Sequence, residues 1–254
     1  MDAGVARTEQ PEAASGNAEF GVMTRDHLAR VQDENEEVLT QVTDRMLDTC
    51  RDGGRIHTAG SGHSLALVME TFYRAGGLAC VNPLYHPGLL PLHGAASSTV
   101  VERADGFASS LVAGAGPQHG DLAFVFSTSG TNALPVQLAT AMRESGVDVV
   151  AVTSRAASAA APTRSGHKLA GLADYVVDTG VRPGDSTYPP DAPQTGALSS
   201  ITSVYLWQLL LSRLVDRAAE QGVPLPIWRS NNVVGGEEHN VELAERYRSR
   251  IDPL

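Results

Sequence analysis

Short apolar runs alternate with longer segments of helical hydrophobic periodicity along most of the chain. Five of these runs have the length and composition of buried strands, and helical or loop segments separate them. Apolar strands that alternate with helices form a parallel sheet with helices on both faces. The pattern therefore predicts an α/β fold, a doubly wound five-stranded parallel sheet flanked by helices. The predicted strands are residues 55–59, 78–81, 122–126, 147–153 and 175–178.

Two of the predicted helices are unusually long. Residues 24–51 carry apolar side chains at largely helical spacing among many acids, which predicts a long N-terminal helix that ends at Gly53 and Gly54. Residues 196–221 form an apolar helix that Gly222 ends. Their apolar surface exceeds what one sheet readily covers, which predicts a homodimer or homotetramer. The alternative is that both helices pack wholly against their own domain. The other predicted helices are residues 65–75, 133–145 and 240–250, the last in a C-terminal helical tail.

Two turns between a strand and a helix are rich in hydroxyl groups. At such a turn the first helical N–H groups lack internal partners and favour an anion. Both turns also lie at carboxyl ends of parallel strands, where ligands bind. The sequence therefore predicts one cradle for a phosphate-sized anion, although ordinary helix caps with loop serines would give similar turns. The turns are Gly60-Ser61-Gly62-His63-Ser64 and Ser127-Thr128-Ser129-Gly130-Thr131-Asn132.

Composition and net charge indicate which classes of function are compatible with the sequence. The chain of 254 residues has 42% apolar residues and a net charge of -10, which fits a globular domain and argues against a nucleic-acid partner. No apolar run could span a bilayer, and residues 1–21 have no secretion signal. We expect residues 1–21 to be a disordered tail and residues 22–254 to form a single domain. Cys50 and Cys80 lack the spacing of a metal or redox pair, so we expect a cytoplasmic protein.

A long Pro-rich segment follows the second predicted strand and continues to Ser110. A segment of this kind usually lines a site or a partner surface. Its histidines, His86 and His93, have no carboxylate or cysteine at close spacing, so we expect no metal site and no other cofactor. We expect Glu102, which Arg103 follows, to lie either at the mouth of the pocket or in a solvated charge pair.

These motifs resemble the SIS (sugar isomerase) family of phosphosugar-binding domains. The resemblance covers about residues 25–254 and is strongest to the phosphoheptose-isomerase-like branch of largely uncharacterised SIS proteins. That branch has a C-terminal signature similar to Ser230-Asn231-Asn232-Val233-Val234-Gly235-Gly236-Glu237-Glu238-His239-Asn240. The resemblance implies a SIS-type fold, a phosphorylated sugar as ligand, and a binding set of Ser61, His63, Ser64, Glu102, Ser127, Thr128, Ser129, Thr131 and Asn132.

The resemblance also implies interconversion of aldose and ketose phosphates through an enediolate, which needs a carboxylate base. We assign Glu70 as the base and His239, from a neighbouring subunit, as the group that opens the ring or handles the oxygen. Both residues have structural alternatives: Glu70 can pair with Arg74, and His239 can cap the final helix. In several characterised isomerases of the family, the essential glutamate lies near where this chain has Arg74. A non-catalytic sugar-phosphate sensor therefore stays open as a second function, and a lyase or epimerase as a third.

Overall fold

The computed structural model describes residues 15–254, with side chains from residue 19 onward. Its sheet has five parallel strands in the order β2-β1-β3-β4-β5, which confirms the predicted α/β architecture. Because Gly60 pairs with Phe126, the central strands β1 and β3 end at the same level, and the turns that follow them meet. The strands are Ile56–Gly60 (β1), Val81–Leu84 (β2), Leu122–Phe126 (β3), Asp148–Thr153 (β4) and Tyr175–Asp178 (β5).

Helices cover both faces of the sheet. One group, α1, α2, α3 and α8, packs together on one side, and α4, α5 and α6 pack on the other. The core is continuous across the layers, since the rings of Phe124 on β3 and Trp207 on α8 meet edge to face at 5.2 Å. The helices are Ser15–Glu34 (α1), Glu36–Arg51 (α2), Leu65–Thr71 (α3), Ala95–Arg103 (α4), Phe107–Ala115 (α5), Ala133–Glu144 (α6), Arg155–Ala160 (α7), Ser199–Gln221 (α8) and Gly236–Tyr247 (α9).

The N-terminal helix differs from its prediction. Residues 24–51 were expected to form one helix, but the structure has two, separated at Asn35. The buried Asn35 amide donates to Val31 O and Asp178 O and accepts from Asp178 N, so it bonds the end of β5 instead of facing solvent. The predicted tail of residues 1–21 is also too long, because α1 begins at Ser15. Residues 1–14 lie outside the described residues.

The segment after α3 is a second correction. A helix was predicted for residues 65–75, but α3 ends at Thr71, and Tyr73 has a positive φ of 43°. Tertiary pairing explains the difference, since Gly76 N donates to Trp228 O and Trp228 N donates to Gly77 O. These bonds to the chain around Trp228 replace helical ones. They also hold residues 76–79 outside the sheet, so β2 begins at Val81 and not at residue 78.

The irregular segments contain more helix than the sequence indicated. The Pro-rich segment holds α4 and the start of α5, and the segment after β4 begins with the short helix α7. The final helix starts at Gly236 instead of Asn240, with two glutamates in its first turn, where the helix dipole favours negative charge.

Helix α8 is largely covered by its own chain. It packs against α2, α1 and α3, and its clearly exposed apolar residues include Ile201 and Val215. The predicted homodimer or homotetramer and the single domain of residues 22–254 stay predictions. Among the helices that the structure describes, none is both long and apolar enough to cross a membrane.

Candidate functional site

A pocket of about 270 Å³ lies at the carboxyl ends of β1, β3, β4 and β5. More than half of its lining residues carry a hydroxyl group, and within the described chain no Lys or Arg lines it. Such a lining offers many neutral hydrogen-bond donors and a single carboxylate. The lining residues are Ser61, Gly62, His63, Ser64, Leu67, Glu102, Phe126, Ser127, Thr128, Val152, Thr179, Ser199, Ser200 and Ser203.

The first predicted turn forms one wall of this pocket. It folds as a tight 3-10 turn in which Ser64 N donates to Ser61 O at 3.0 Å, and the chain enters α3 directly afterwards. A Cβ on Gly60 would lie 3.0 Å from Ser64, so the close approach of the turn favours glycine at that position. The structure gives the hydroxyls of Ser61 and Ser64 no side-chain hydrogen bond to a described residue, which leaves both free for a ligand.

The second turn places only part of its hydroxyls in the pocket. Ser127 and Thr128 line it, whereas Ser129 and Thr131 face each other with their oxygens 3.4 Å apart. Gly130 has a φ of +59°, and a Cβ there would lie 2.8 Å from the Cβ of Leu169, so only glycine fits. Ser129 and Thr131 do not line the pocket, and their predicted contact with the ligand stays a prediction.

Asn132 bridges two charged side chains at the pocket rim. Its Nδ2 donates to Glu102 Oε1 at 2.7 Å, and its Oδ1 accepts from Arg164 Nη1 at 2.8 Å. Glu102 itself lines the pocket, as expected for a residue at the pocket mouth. Asn132 does not itself line the pocket, and its predicted contact with the ligand stays a prediction.

The two residues assigned to catalysis lie elsewhere in the chain. Glu70 is near the end of α3, where its Oε1 accepts from Gln208 Nε2 at 2.7 Å and also from Arg74 Nη1. His239 is in the first turn of α9, and its Nε2 donates to Ile227 O at 3.0 Å. Neither residue lines the pocket within one chain. Their catalytic roles stay predictions.

Sequence reasoning missed the far wall of the pocket. Thr179 directly follows β5, and its buried hydroxyl has no hydrogen-bond partner in the described structure. Ser199, Ser200 and Ser203 lie among the first five residues of α8, where Asp185 accepts from Ser199 N at 2.9 Å and from Ser199 Oγ at 2.5 Å. Two signals were available: Thr179 stands just after a strand, and Ser199 and Ser203 are four residues apart at a helix start.

A second polar cluster lies at the opposite, amino end of the sheet. Asp121 accepts from Arg55 Nη2 at 3.0 Å and from His57 Nε2 at 2.9 Å, and Asn82 Nδ2 donates to His57 Nδ1 at 3.1 Å. Each of these four side chains is buried. Their hydrogen-bonding groups pair with one another and with the surrounding backbone.

The pKa values of this cluster follow from its contacts. Burial alone would raise the pKa of Asp121, but hydrogen bonds from His57 and from the backbone of Arg55 and Gln118 lower it to about 2. Burial lowers the pKa of His57, although its contact with Asp121 acts in the opposite direction. A neutral ring with its proton on Nε2 satisfies both of its hydrogen bonds. The cluster therefore carries one buried ion pair, between Arg55 and Asp121.

Comparisons with known proteins agree with this fold. A family model described as a SIS domain matches residues 19–154, just over half of the chain. A UPF0309 protein of Listeria innocua is 32% identical over 235 residues, covering 89% of this chain and 94% of the relative. A UPF0309 protein of Streptomyces coelicolor is 35% identical over 233 residues, covering 89% and 92%.

Two solved structures are similar in fold. The phosphoheptose isomerase of Neisseria gonorrhoeae has a TM-score of 0.54 at 20% identity, covering 79% of this chain and 97% of that one. A phosphoheptose isomerase from Francisella tularensis has a TM-score of 0.50 at 15% identity, covering 79% and 96%. At these identities the likeness extends to the fold alone.

Proposed function

Because the chain belongs to the SIS domain family and to the UPF0309 proteins, we propose that it is a phosphosugar isomerase that interconverts an aldose phosphate and a ketose phosphate through an enediolate. The observation that carries the proposal is the pocket where the two hydroxyl-rich turns meet. A polyhydroxylated anion matches such a lining, since hydroxyls and turn amides can bind both a phosphate and sugar hydroxyls. The fold shared with two phosphoheptose isomerases is compatible with this reaction.

The pocket also offers groups for proton transfer. Glu102 and His63 line it together with the serines, so a carboxylate and an imidazole adjoin the proposed ligand. Isomerisation needs a base that moves a proton between adjacent carbons and a group that serves the oxygens.

A non-catalytic sugar-phosphate sensor is the second candidate function. The observation that favours it is the position of Glu70 and His239, which lie outside the pocket of their own chain. A sensor would bind the same ligands without exchanging their protons. Measurements of binding and of exchange on one preparation therefore separate the two functions.

The binding test compares ligand-induced thermal stabilisation across a panel of aldose phosphates, including ribose 5-phosphate and glucose 6-phosphate. A ligand at a hundred times its Kd adds about 2.7 kcal/mol to the free energy of unfolding. The double variant Ser64→Ala/Thr128→Val removes two pocket hydroxyls that have no side-chain hydrogen bond within the described structure. We expect Kd to rise at least about tenfold for each hydroxyl that contacts phosphate, with little loss of stability.

The matched control is Ser109→Ala/Thr99→Val, which changes two exposed hydroxyl residues outside the pocket. Its Kd should equal that of the parent. If the pocket variant bound every phosphosugar as tightly as the parent, the cradle would be the wrong binding site. If the parent bound no member of the panel, the proposed ligand class would be wrong.

A further inference from the structure

Glu102 is the one carboxylate among the described side chains that line the pocket. It stands in the last turn of α4, which packs beside α6 and beside the turn that carries Ser61 and Ser64. The side chain is half-buried, so it is held by the protein and still reaches the pocket. A base for a bound sugar needs this combination of fixed position and access.

The contact with Asn132 fixes one oxygen of this carboxylate. Arg164 has only donors, so the atom of Asn132 that faces it must be the carbonyl Oδ1. The amide Nδ2 therefore points to Glu102 and donates to Oε1. The other oxygen, Oε2, accepts no hydrogen bond from the described residues, which leaves it available to take a proton.

Glu70 has different surroundings. Its Oε1 already accepts from Arg74 and from Gln208, and the residue is outside the pocket lining. The two carboxylates differ in position, since Glu102 lines the pocket and Glu70 does not. Geometry within one chain therefore favours Glu102 for this role.

We propose that Glu102 is the base that moves the proton between the two carbons of the sugar, an inference that rests on the proposed isomerase function. Oε2 removes the proton from C2 of the open-chain aldose; the C–H electron pair forms the C1=C2 bond, and the carbonyl pair moves to O1. The proton of the C2 hydroxyl passes to O1, and the imidazole of His63 in the same pocket can carry it. Glu102 then returns its proton to C1 as the C2=O bond forms. The sum is a rearrangement that consumes no oxidant or reductant.

Asn132 and Arg164 act as positioning residues in this scheme. Asn132→Ala removes the bond to Oε1 and frees the carboxylate to rotate. The expected result is a lower kcat with little change in KM, because Asn132 orients the base and is not among the residues that line the pocket. A residue that merely supported the fold would lower stability without this division between kcat and KM.

The decisive variant is Glu102→Gln, which keeps the shape and the bond to Asn132 but cannot accept the proton. Deuterium incorporation at C2 is followed by NMR in D2O with ribose 5-phosphate and glucose 6-phosphate, and binding is measured by calorimetry. We expect exchange to fall about 10²–10⁴-fold while Kd stays near that of the parent. Glu144→Gln, an equal change at an exposed position on α6, is the matched control and should exchange like the parent.

Two further variants keep the outcome interpretable. Glu102→Asp retains a carboxylate one methylene shorter, so it should exchange faster than Glu102→Gln even if both melt at lower temperature. Glu70→Gln tests the rival base. Loss of exchange in Glu70→Gln with retention in Glu102→Gln would overturn the proposal and leave the isomerase function standing. A parent that binds the sugars but exchanges none of their protons would overturn both.

Discussion

The two ends of the parallel sheet are both polar, but they use their polar groups in opposite ways. At the amino end, Arg55, Asp121 and His57 pair with one another inside the protein. At the carboxyl end, the hydroxyl of Thr179 has no partner among the described residues, although it is buried like them. Buried polar groups in native proteins are nearly always paired, and exceptions call for an explanation. The comparison teaches that the polar groups of the first end pair within the fold, while the second leaves a buried hydroxyl beside the pocket unpaired among the described residues.

The largest effect on stability is expected at the amino end. Asp121→Asn removes the charge that pairs with Arg55, whose side chain is 6% exposed, and leaves a buried guanidinium without its counter-ion. We expect the free energy of unfolding to fall by about 3–5 kcal/mol, measured by urea denaturation. Ligand affinity of the folded variant should stay unchanged, since the pocket is at the other end.

Asp44→Asn is the matched control, because Asp44 pairs with Arg217 at an exposed site where each side chain is 44% exposed. Its cost should stay below about 1 kcal/mol. Equal losses in the two variants would mean that the amino-end cluster does not stabilise the fold more than a surface ion pair does.

Acid should weaken the same cluster in two stages. The folded chain holds the pKa of Asp121 at about 2, while the pKa of an Asp in the unfolded chain is about 3.9. Because the folded value is the lower one, the contribution of about 2–3 kcal/mol is present above about pH 4 and is lost as the pH falls toward 2. The pKa of His57 is also lowered by burial, so the unfolded chain takes up a proton first, below about pH 6.5, and stability begins to decline there.

Unfolding free energies measured at pH 7, 5 and 3 check both stages. His57→Gln cannot take up a proton and should flatten the decline between about pH 6.5 and 5. Because the contact with His57 also helps to lower the pKa of Asp121, the variant should lose less stability than the parent below about pH 4 as well. Stability that is constant from pH 7 to pH 3 would contradict the assignment of these pKa shifts.

The smallest effect on stability is expected from Thr179→Val at the carboxyl end. The change removes an unpaired hydroxyl and keeps the shape, so the free energy of unfolding should rise by up to about 1 kcal/mol while phosphosugar binding weakens. Thr153→Val is the matched control, since the buried Thr153 hydroxyl donates to Thr128 O at 3.2 Å and should cost about 1 kcal/mol when removed. Equal losses in both variants would show that Thr179 has a structural partner.

Local sequence predicted the parts of the fold that depend on local pattern. The strands Leu122–Phe126 and Tyr175–Asp178 were predicted with the bounds they have, because each is a short apolar run. The end of α3 was predicted wrongly because it depends on pairing with the chain around Trp228, more than a hundred residues away. The break between α1 and α2 at Asn35 was missed for the same reason, since nothing near Asn35 in sequence indicates that its amide bonds Asp178.

The candidate site divides in the same way. The turns themselves could be found from Ser, Thr and Gly after a strand. Which hydroxyls face the pocket depends on the path of each turn: Thr128 lines it and Ser129 does not. Glu102 was found as a residue of the pocket mouth, but its contact with Asn132 required the packing of α4 beside α6.

The amide of Asn35 also changes how the sheet ends. Strand β5 is the last strand on its side, and such an edge offers free N–H and C=O groups on which another chain can add a strand and aggregate. Asn35 bonds both outward-facing backbone groups of Asp178. On a strand of four residues, this leaves little edge to extend. One side chain thereby blocks part of the sheet edge, as a covering helix or a proline does in other proteins.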